Sequence, residues 1–236
     1  MAKEINISVE NGVKELVIRN GEAVPVHTGR DVNVTNVTIF SLFEFLSKEN
    51  VLLSIILDSA LIFSYDNLAM RLVYGLTERH PYKLNGSILL NPDLEAFEIN
   101  KGKRYSTFQL ADFIKMNRHL FESKSVAMEL VSTLKNIKAT VNRAIEANKD
   151  DRGNKRALID QVVQSNIPES FNIELPIFKG QPKVVVPVEV VLDEDLECML
   201  VSPDLKQIIA EESERLIGGE VEKIRELHPQ LRIYQE

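Results

Sequence analysis

Phe171-Asn-Ile-Glu-Leu-Pro-Ile177, followed after Phe178-Lys-Gly-Gln-Pro182 by Lys183-Val-Val-Val-Pro-Val-Glu-Val-Val-Leu-Asp193, is the stretch whose reading decides the fold. The first run alternates apolar and polar residues and the second is rich in β-branched side chains, so together they predict a β-hairpin. Gly180 and Pro182 fall in the connector, where a positive φ and a fixed φ are useful and no ladder hydrogen bond is needed. Pro176 and Pro187 carry no N–H, which places each at an edge or a bulge. Outward from the hairpin, Asp193-Glu-Asp195 turns the chain into a third strand, Leu196 to Val201. Ser202-Pro203-Asp204 then reads as a helix start, with a capping serine, proline at the first helical position and an acid in the first turn. The unit is an antiparallel β-meander followed by an amphipathic helix.

That helix continues through Leu205, Ile208, Ile209, Leu216, Val221, Ile224 and Leu227 at helical spacing, with Gly218-Gly219 predicting a kink or break. His228-Pro229 ends it, and Leu231 to Tyr234 reads as a last strand. Upstream of the hairpin, Ser106 with Gln109 resembles a capping box for a helix bearing Phe108, Leu110, Ala111, Ile114 and Leu120-Phe121. A second helix, about 125–148, places Met128, Val131, Leu134, Ile137 and Val141 near one face. Lys149 to Arg156 reads as a charged loop, and a short helix at about 157–164 leads to Pro168.

Toward the amino terminus, residues 5–9 and 13–18 read as short strands set off by the turn pairs Asn11-Gly12 and Asn20-Gly21. Val32 to Val34 suggests another strand. Thr35-Asn36 then caps an apolar helix, about 36–48, whose Ile39, Phe40, Leu42, Phe43, Phe45 and Leu46 leave a narrow polar face and predict burial in the core or in a homo-oligomer interface. Val51–Leu57 and Ala60–Tyr65 read as strands about Asp58-Ser59, followed by 68–76, all apolar enough to be buried on both faces. The signals weaken between Thr77 and Lys103. The resulting fold class is α+β: a β-rich part with one apolar helix over 1–100, and a helical segment plus the meander and the final helix over 101–236, as two parts or as one continuous domain.

The 236 residues and their 44% hydrophobic content support a sizeable core. No apolar run approaches the roughly 20 residues of a membrane helix, and Met1-Ala-Lys-Glu-Ile5 does not resemble a secretion signal. A cytoplasmic location is therefore expected. The single cysteine, Cys198, lies in a predicted strand, where a buried thiol is the expectation.

Charge is unevenly placed. Residues 101–156 carry 13 Lys and Arg against 6 Asp and Glu, net +7, while the rest carries 15 against 29, net −14. A basic middle flanked by acidic ends fits either intramolecular complementarity or a phosphate-binding patch. The candidate nucleic-acid contacts are Lys101, Lys103 and Arg104 before the first central helix, Lys115 and Arg118 on it, and Lys149, Arg152, Lys155 and Arg156 in the charged loop. An alternative partner is a basic protein bound through Glu211, Glu212, Glu214, Glu220 and Glu222.

Enzymatic chemistry finds little footing. His27, His80, His119 and His228 form no metal-ligand spacing. Phosphate-binding glycine loops and the GxSxG elbow are missing from the sequence. Asp150-Asp151 and Asp193-Glu-Asp195 lack the rhythm of a calcium loop and read as solvated turns. No cofactor and no metal is expected, and a metal-dependent enzyme is the weakest of the three readings.

Leu110-Ala-Asp-Phe-Ile-Lys-Met-Asn-Arg118, Asp151-Arg-Gly-Asn154, Pro168-Glu-Ser-Phe-Asn-Ile-Glu-Leu-Pro-Ile-Phe-Lys-Gly180 and Leu200-Val-Ser-Pro203 resemble, in order and spacing, the YfdQ-like family of uncharacterised bacteriophage and prophage proteins with a domain of unknown function. The likeness spans roughly residues 68–236. It implies a phage or prophage origin and brings no catalytic motif. The expectation is a non-enzymatic binding protein, accessory to phage nucleic-acid metabolism through the basic central region or, alternatively, modulating a host or phage protein through its acidic surfaces.

Overall fold

The computed structural model describes residues 32–48, 53–78, 80–147, 170–193 and 195–236, all within one compact unit, Asp31–Glu236. The strands expected at 5–9 and 13–18, the charged loop at 149–156 and the helix at about 157–164 lie outside those residues. The elements run β1 (Val32–Thr38), α1 (Phe40–Lys48), α2 (Leu53–Leu57), β2 (Ala60–Ser64), β3 (Ala69–Tyr74), β4 (Tyr82–Ser87), α3 (Pro92–Ala96), β5 (Tyr105–Ser106), α4 (Thr107–Met116), α5 (Lys124–Ala147), β6 (Phe171–Pro176), β7 (Lys183–Leu192), β8 (Glu197–Val201), α6 (Leu205–Leu227) and β9 (Arg232–Gln235). The fold class is α+β.

Two sheets carry this architecture. One has the order β5-β8-β7-β6, all antiparallel. In it Ile173, Leu175, Val186, Val188, Cys198 and Leu200 alternate inward and are buried, as a period of two demands. Gly180 takes a φ of +79° in the connector. Pro176 lies on the edge strand β6, and Pro187 lies where β7 has a partner on one side only, because β8 pairs with Glu189–Leu192. Beneath this sheet pack α4 and α5, through Leu110, Ala111 and Ile114 of the first and Ala127, Leu130, Val131, Leu134 and Ile137 of the second.

The other sheet has the order β1-β4-β3-β2-β9. Its centre, β2-β3-β4, is an antiparallel meander, and β1 and β9 flank it as parallel edges. Leu61, Leu72 and Leu84 align across three strands and are buried, as are Phe63, Met70 and Gly86 in the next register. At Gly86 an added Cβ would lie 2.8 Å from the Thr38 carbonyl oxygen, 2.9 Å from Ile39 Cα and 2.8 Å from Leu42 Cδ1. Glycine there is what lets the start of α1 settle on β4. Because β9 pairs with β2, this sheet crosses the division expected near residue 100.

Several expectations are corrected. Of the strand expected at 51–57, the described residues 53–57 make the helix α2 instead, with Ile56 buried and Leu53 and Leu57 exposed, because a short apolar run suits either conformation until its neighbours decide. The helix expected from 36 begins at Phe40. Asn36 instead adopts φ 62° inside β1, where the register with β4 shifts between Val34 and Val37, a conformation asparagine tolerates. Strand β4, in the weakly patterned 77–103 region, was not legible. Helix α6 runs unbroken through Gly218-Gly219, held down on either side of the glycines by buried Leu216, Ile217, Val221 and Ile224. Phe108 and Met128, assigned to buried stripes, are 52% and 38% exposed.

The start of α6 also differs from expectation. Asp204 occupies the cap position without a side-chain hydrogen bond, and the helix begins at Leu205. Ser202 is held back by Asn100, whose Nδ2 donates to the Ser202 carbonyl at 2.7 Å and whose Oδ1 accepts from the Ser202 N–H at 2.9 Å. Helix α1, the basis for expecting a homo-oligomer, packs Ile39, Leu42 and Leu46 into the core, and Phe40, Phe43 and Phe45 rest partly buried against it.

Candidate functional site

Helix α4 separates the described basic residues into two groups. It starts from a complete capping box: Gln109 N–H donates to Ser106 Oγ at 3.2 Å, and the Ser106 N–H donates to Gln109 Oε1 at 2.9 Å. Ten residues of helix put about 15 Å between its ends. Lys101, Lys103 and Arg104 lie before it, while Lys115 and Arg118 lie at and just beyond its far end. All five are exposed.

The group before α4 is engaged within the chain. Arg104 Nη1 donates to Asp193 at 2.7 Å and to Glu197 at 3.3 Å, tying the approach to β5 onto the β7–β8 turn. Asp193 also accepts the N–H groups of Asp195 and Glu197 at 3.0 and 2.9 Å. The acidic turn considered for a divalent cation thus already holds a guanidinium. Lys101 sits 3.8 Å from Glu98. The Lys103 ammonium lies 5.9 Å from the centre of the Tyr105 ring, whose hydroxyl pKa is raised by burial and by the nearby Glu98 charge.

The group at the far end is different. The chain leaves α4 at Asn117, makes one tight turn over Arg118–Leu120, and enters α5 at Lys124. Leu120 and Phe121 anchor this turn from below: both are buried, and the Phe121 ring stacks on Phe171 at 5.3 Å between centres. Asn117 Nδ2 donates to the Phe113 carbonyl at 3.0 Å, closing the helix end. Lys115, Arg118, His119 and Lys124 all face solvent, and none of these four makes an ion pair among the described residues. Met116 stands between them, 78% exposed. The one acid of the turn, Glu122, accepts from Asn172 Nδ2 at 3.3 Å. A rigid turn bearing three permanent cations and an imidazole can complement closely spaced phosphates.

His119 and Lys124 were not singled out from sequence, although the density of Lys, Arg and His over 115–124 was a signal for them. Lys149, Arg152, Lys155 and Arg156 lie outside the described residues. Lys135, in the middle of α5, pairs with Asp112 of α4 at 3.0 Å and serves helix packing.

The acidic alternative is largely neutralised along its own helix. Glu212 pairs with Arg215 at 2.7 Å, Glu220 with Lys223 at 2.6 Å, and Glu222 with Arg225, all three residues apart. Gln207 donates to Glu211 at 2.7 Å. Glu220 is buried rather than displayed. Cys198 is fully buried, and its thiol is pushed up to about 12 by burial and by the Asp193 and Glu197 charges, so it is no nucleophile. Among the described residues no group of three His, Cys, Asp or Glu side chains is placed to hold a metal ion, and no helix is long and apolar enough to cross a membrane.

No family model matches the chain, and no curated protein or solved structure matches it.

Proposed function

We propose that the chain is a phage- or prophage-encoded, non-enzymatic binding protein, accessory to nucleic-acid metabolism, and that its phosphate-contacting surface is the turn 115–124 rather than the whole basic middle. The observation that carries this reading is the contrast across α4. Arg104 and Lys101 are paired with acids of the same chain, whereas Lys115, Arg118 and Lys124 are presented on an anchored turn with no acid paired to them among the described residues. The phage assignment rests on the resemblance of segments 110–118, 151–154, 168–180 and 200–203.

Fluorescence anisotropy with single- and double-stranded DNA and RNA, at low and near-physiological salt, tests it. Lys115→Ala with Arg118→Ala should weaken saturable binding and lower the salt slope by about 2, roughly one for each lost phosphate contact. Lys101→Ala with Arg104→Ala should leave both nearly unchanged. Absence of saturable binding at low salt, or binding indifferent to Lys115 and Arg118, would overturn the reading and turn attention to protein partners.

A further inference from the structure

Strands β1 and β4 run parallel and end side by side, with Val37 opposite Gly86 and Thr38 opposite Ser87. A cavity of about 420 Å³ opens at these carboxyl ends. Its volume falls in the range of roughly 300–1,000 Å³ typical of small-molecule sites. Its walls are of two kinds. Val37, Phe40, Ile88 and Leu89 supply apolar surface, and Leu89 is 63% exposed at the rim. Thr38 and Ser87 supply hydroxyls, and Asn36 an amide.

Among the described residues of the lining, Lys179 is the one that carries a charge, and no acid joins it. Lys179 comes from the β6–β7 connector of the other sheet; its side chain is exposed, and its backbone is tied to the segment that lines the cavity. Its N–H donates to the Leu89 carbonyl at 2.9 Å, and Asn91 N–H donates to the Ile177 carbonyl at 2.9 Å, flanking the bridge between Leu90 and Phe178. The register shift before Val37, with Asn36 in a left-handed conformation, bends the end of β1 where it lines the cavity. Three segments distant in sequence therefore meet around one space with an apolar wall, hydroxyl groups and a single cation.

We propose that this cavity binds a small amphiphilic carboxylate, its apolar body against Phe40, Ile88 and Leu89 and its carboxylate taken by Lys179 with the Thr38 and Ser87 hydroxyls. The chemistry of the wall selects the class. An ammonium ligand would meet the Lys179 charge with no acid of the described lining to offset it, and a neutral ligand would forgo the charge-assisted hydrogen bond that a carboxylate gains from it. This site is separate from the turn 115–124 and does not depend on phosphate binding there.

Octanoate is the probe, with octan-1-ol and octylammonium as matched controls, titrated by calorimetry and followed by backbone amide NMR shifts. Octanoate should bind saturably, shifting amides of 36–40, 87–89 and 179, and should bind at least tenfold tighter than either control. Lys179→Gln should lose about tenfold in octanoate affinity while melting as the native sequence does. Leu89→Asn, at an exposed rim position that tolerates polarity, should weaken octanoate and octan-1-ol alike. The inference is overturned if octanoate fails to saturate, if the controls bind as tightly, if the shifts map elsewhere, or if Lys179→Gln leaves affinity unchanged.

Discussion

In the four-stranded sheet, β6, β7 and β8 follow one another within residues 171–201, joined by a short connector and a tight turn; in the five-stranded sheet, β9 at 232–235 pairs with β2 at 60–63. The first arrangement needs little loop closure before its contacts form, whereas the second must bring Ala60 to Arg232 at one edge and Val32 to Tyr82 at the other. The difference explains where sequence patterning is trustworthy. It also implies that the two sheets respond differently to damage: the meander should tolerate local perturbation, and the five-stranded sheet should depend on a few sites where remote segments touch.

Gly86→Ala offers the harshest test of that contrast. Two of the three atoms facing the added methyl group belong to the backbone and cannot rotate away, so the cost should lie at the upper end of overpacking, about 3 kcal/mol. Urea denaturation would measure it. Amide exchange should show protection falling in β1, β4 and α1 before β6 and β7, and an equal fall throughout would mean that the two sheets open as one unit.

Cys198 probes the other sheet through pH. The unfolded chain releases this thiol proton near pH 9.0 and the folded chain only near 12. Above pH 9 the folded state therefore holds a proton that the unfolded state has lost. The associated stability is complete below that pH and declines as pH rises between the two values, by about 1.4 kcal/mol per unit. Denaturation midpoints at pH 8, 9, 10 and 11 should show the native sequence losing ground to Cys198→Ala along this slope. A constant offset between the two would mean that β8 admits water at Cys198.

Ser106→Ala removes the side-chain acceptor from the α4 capping box and should cost about 1 kcal/mol. Because Ser106 also pairs with Glu197 through the backbone in the β5–β8 ladder, thermal melting together with exchange of the Gln109 amide would separate loss of the cap from loss of the strand. Unchanged Gln109 protection would mean that packing of α4, not its cap, fixes the helix start.

The candidate site was legible only in part. Lys115 and Arg118 could be marked as basic, but nothing near Arg104 announced that its partners would be Asp193 and Glu197, 89 and 93 positions away. Whether a surface charge is free depends on distances across the fold. Lys179 shows the same limit: beside Gly180 it reads as a turn residue, and its place at the ends of β1 and β4 follows from the bridge between Leu90 and Phe178.

What the sequence by itself determined about this protein is local: the β6–β7–β8 meander from its period of two and its turn residues, the start of α4 from Ser106 and Gln109, and the long helices α5 and α6 from apolar spacing. Neighbours in the chain decide such features through backbone hydrogen bonds and side-chain periodicity. Contacts across the fold decided that residues 53–57 coil rather than extend, that β1 and β9 join their sheet as parallel edges, that α6 passes through two glycines unbroken, and which described cations of the basic middle have no acid beside them among the described residues. Each of those outcomes depends on atoms brought together from distant positions, where burial and charge pairing outweigh local preference.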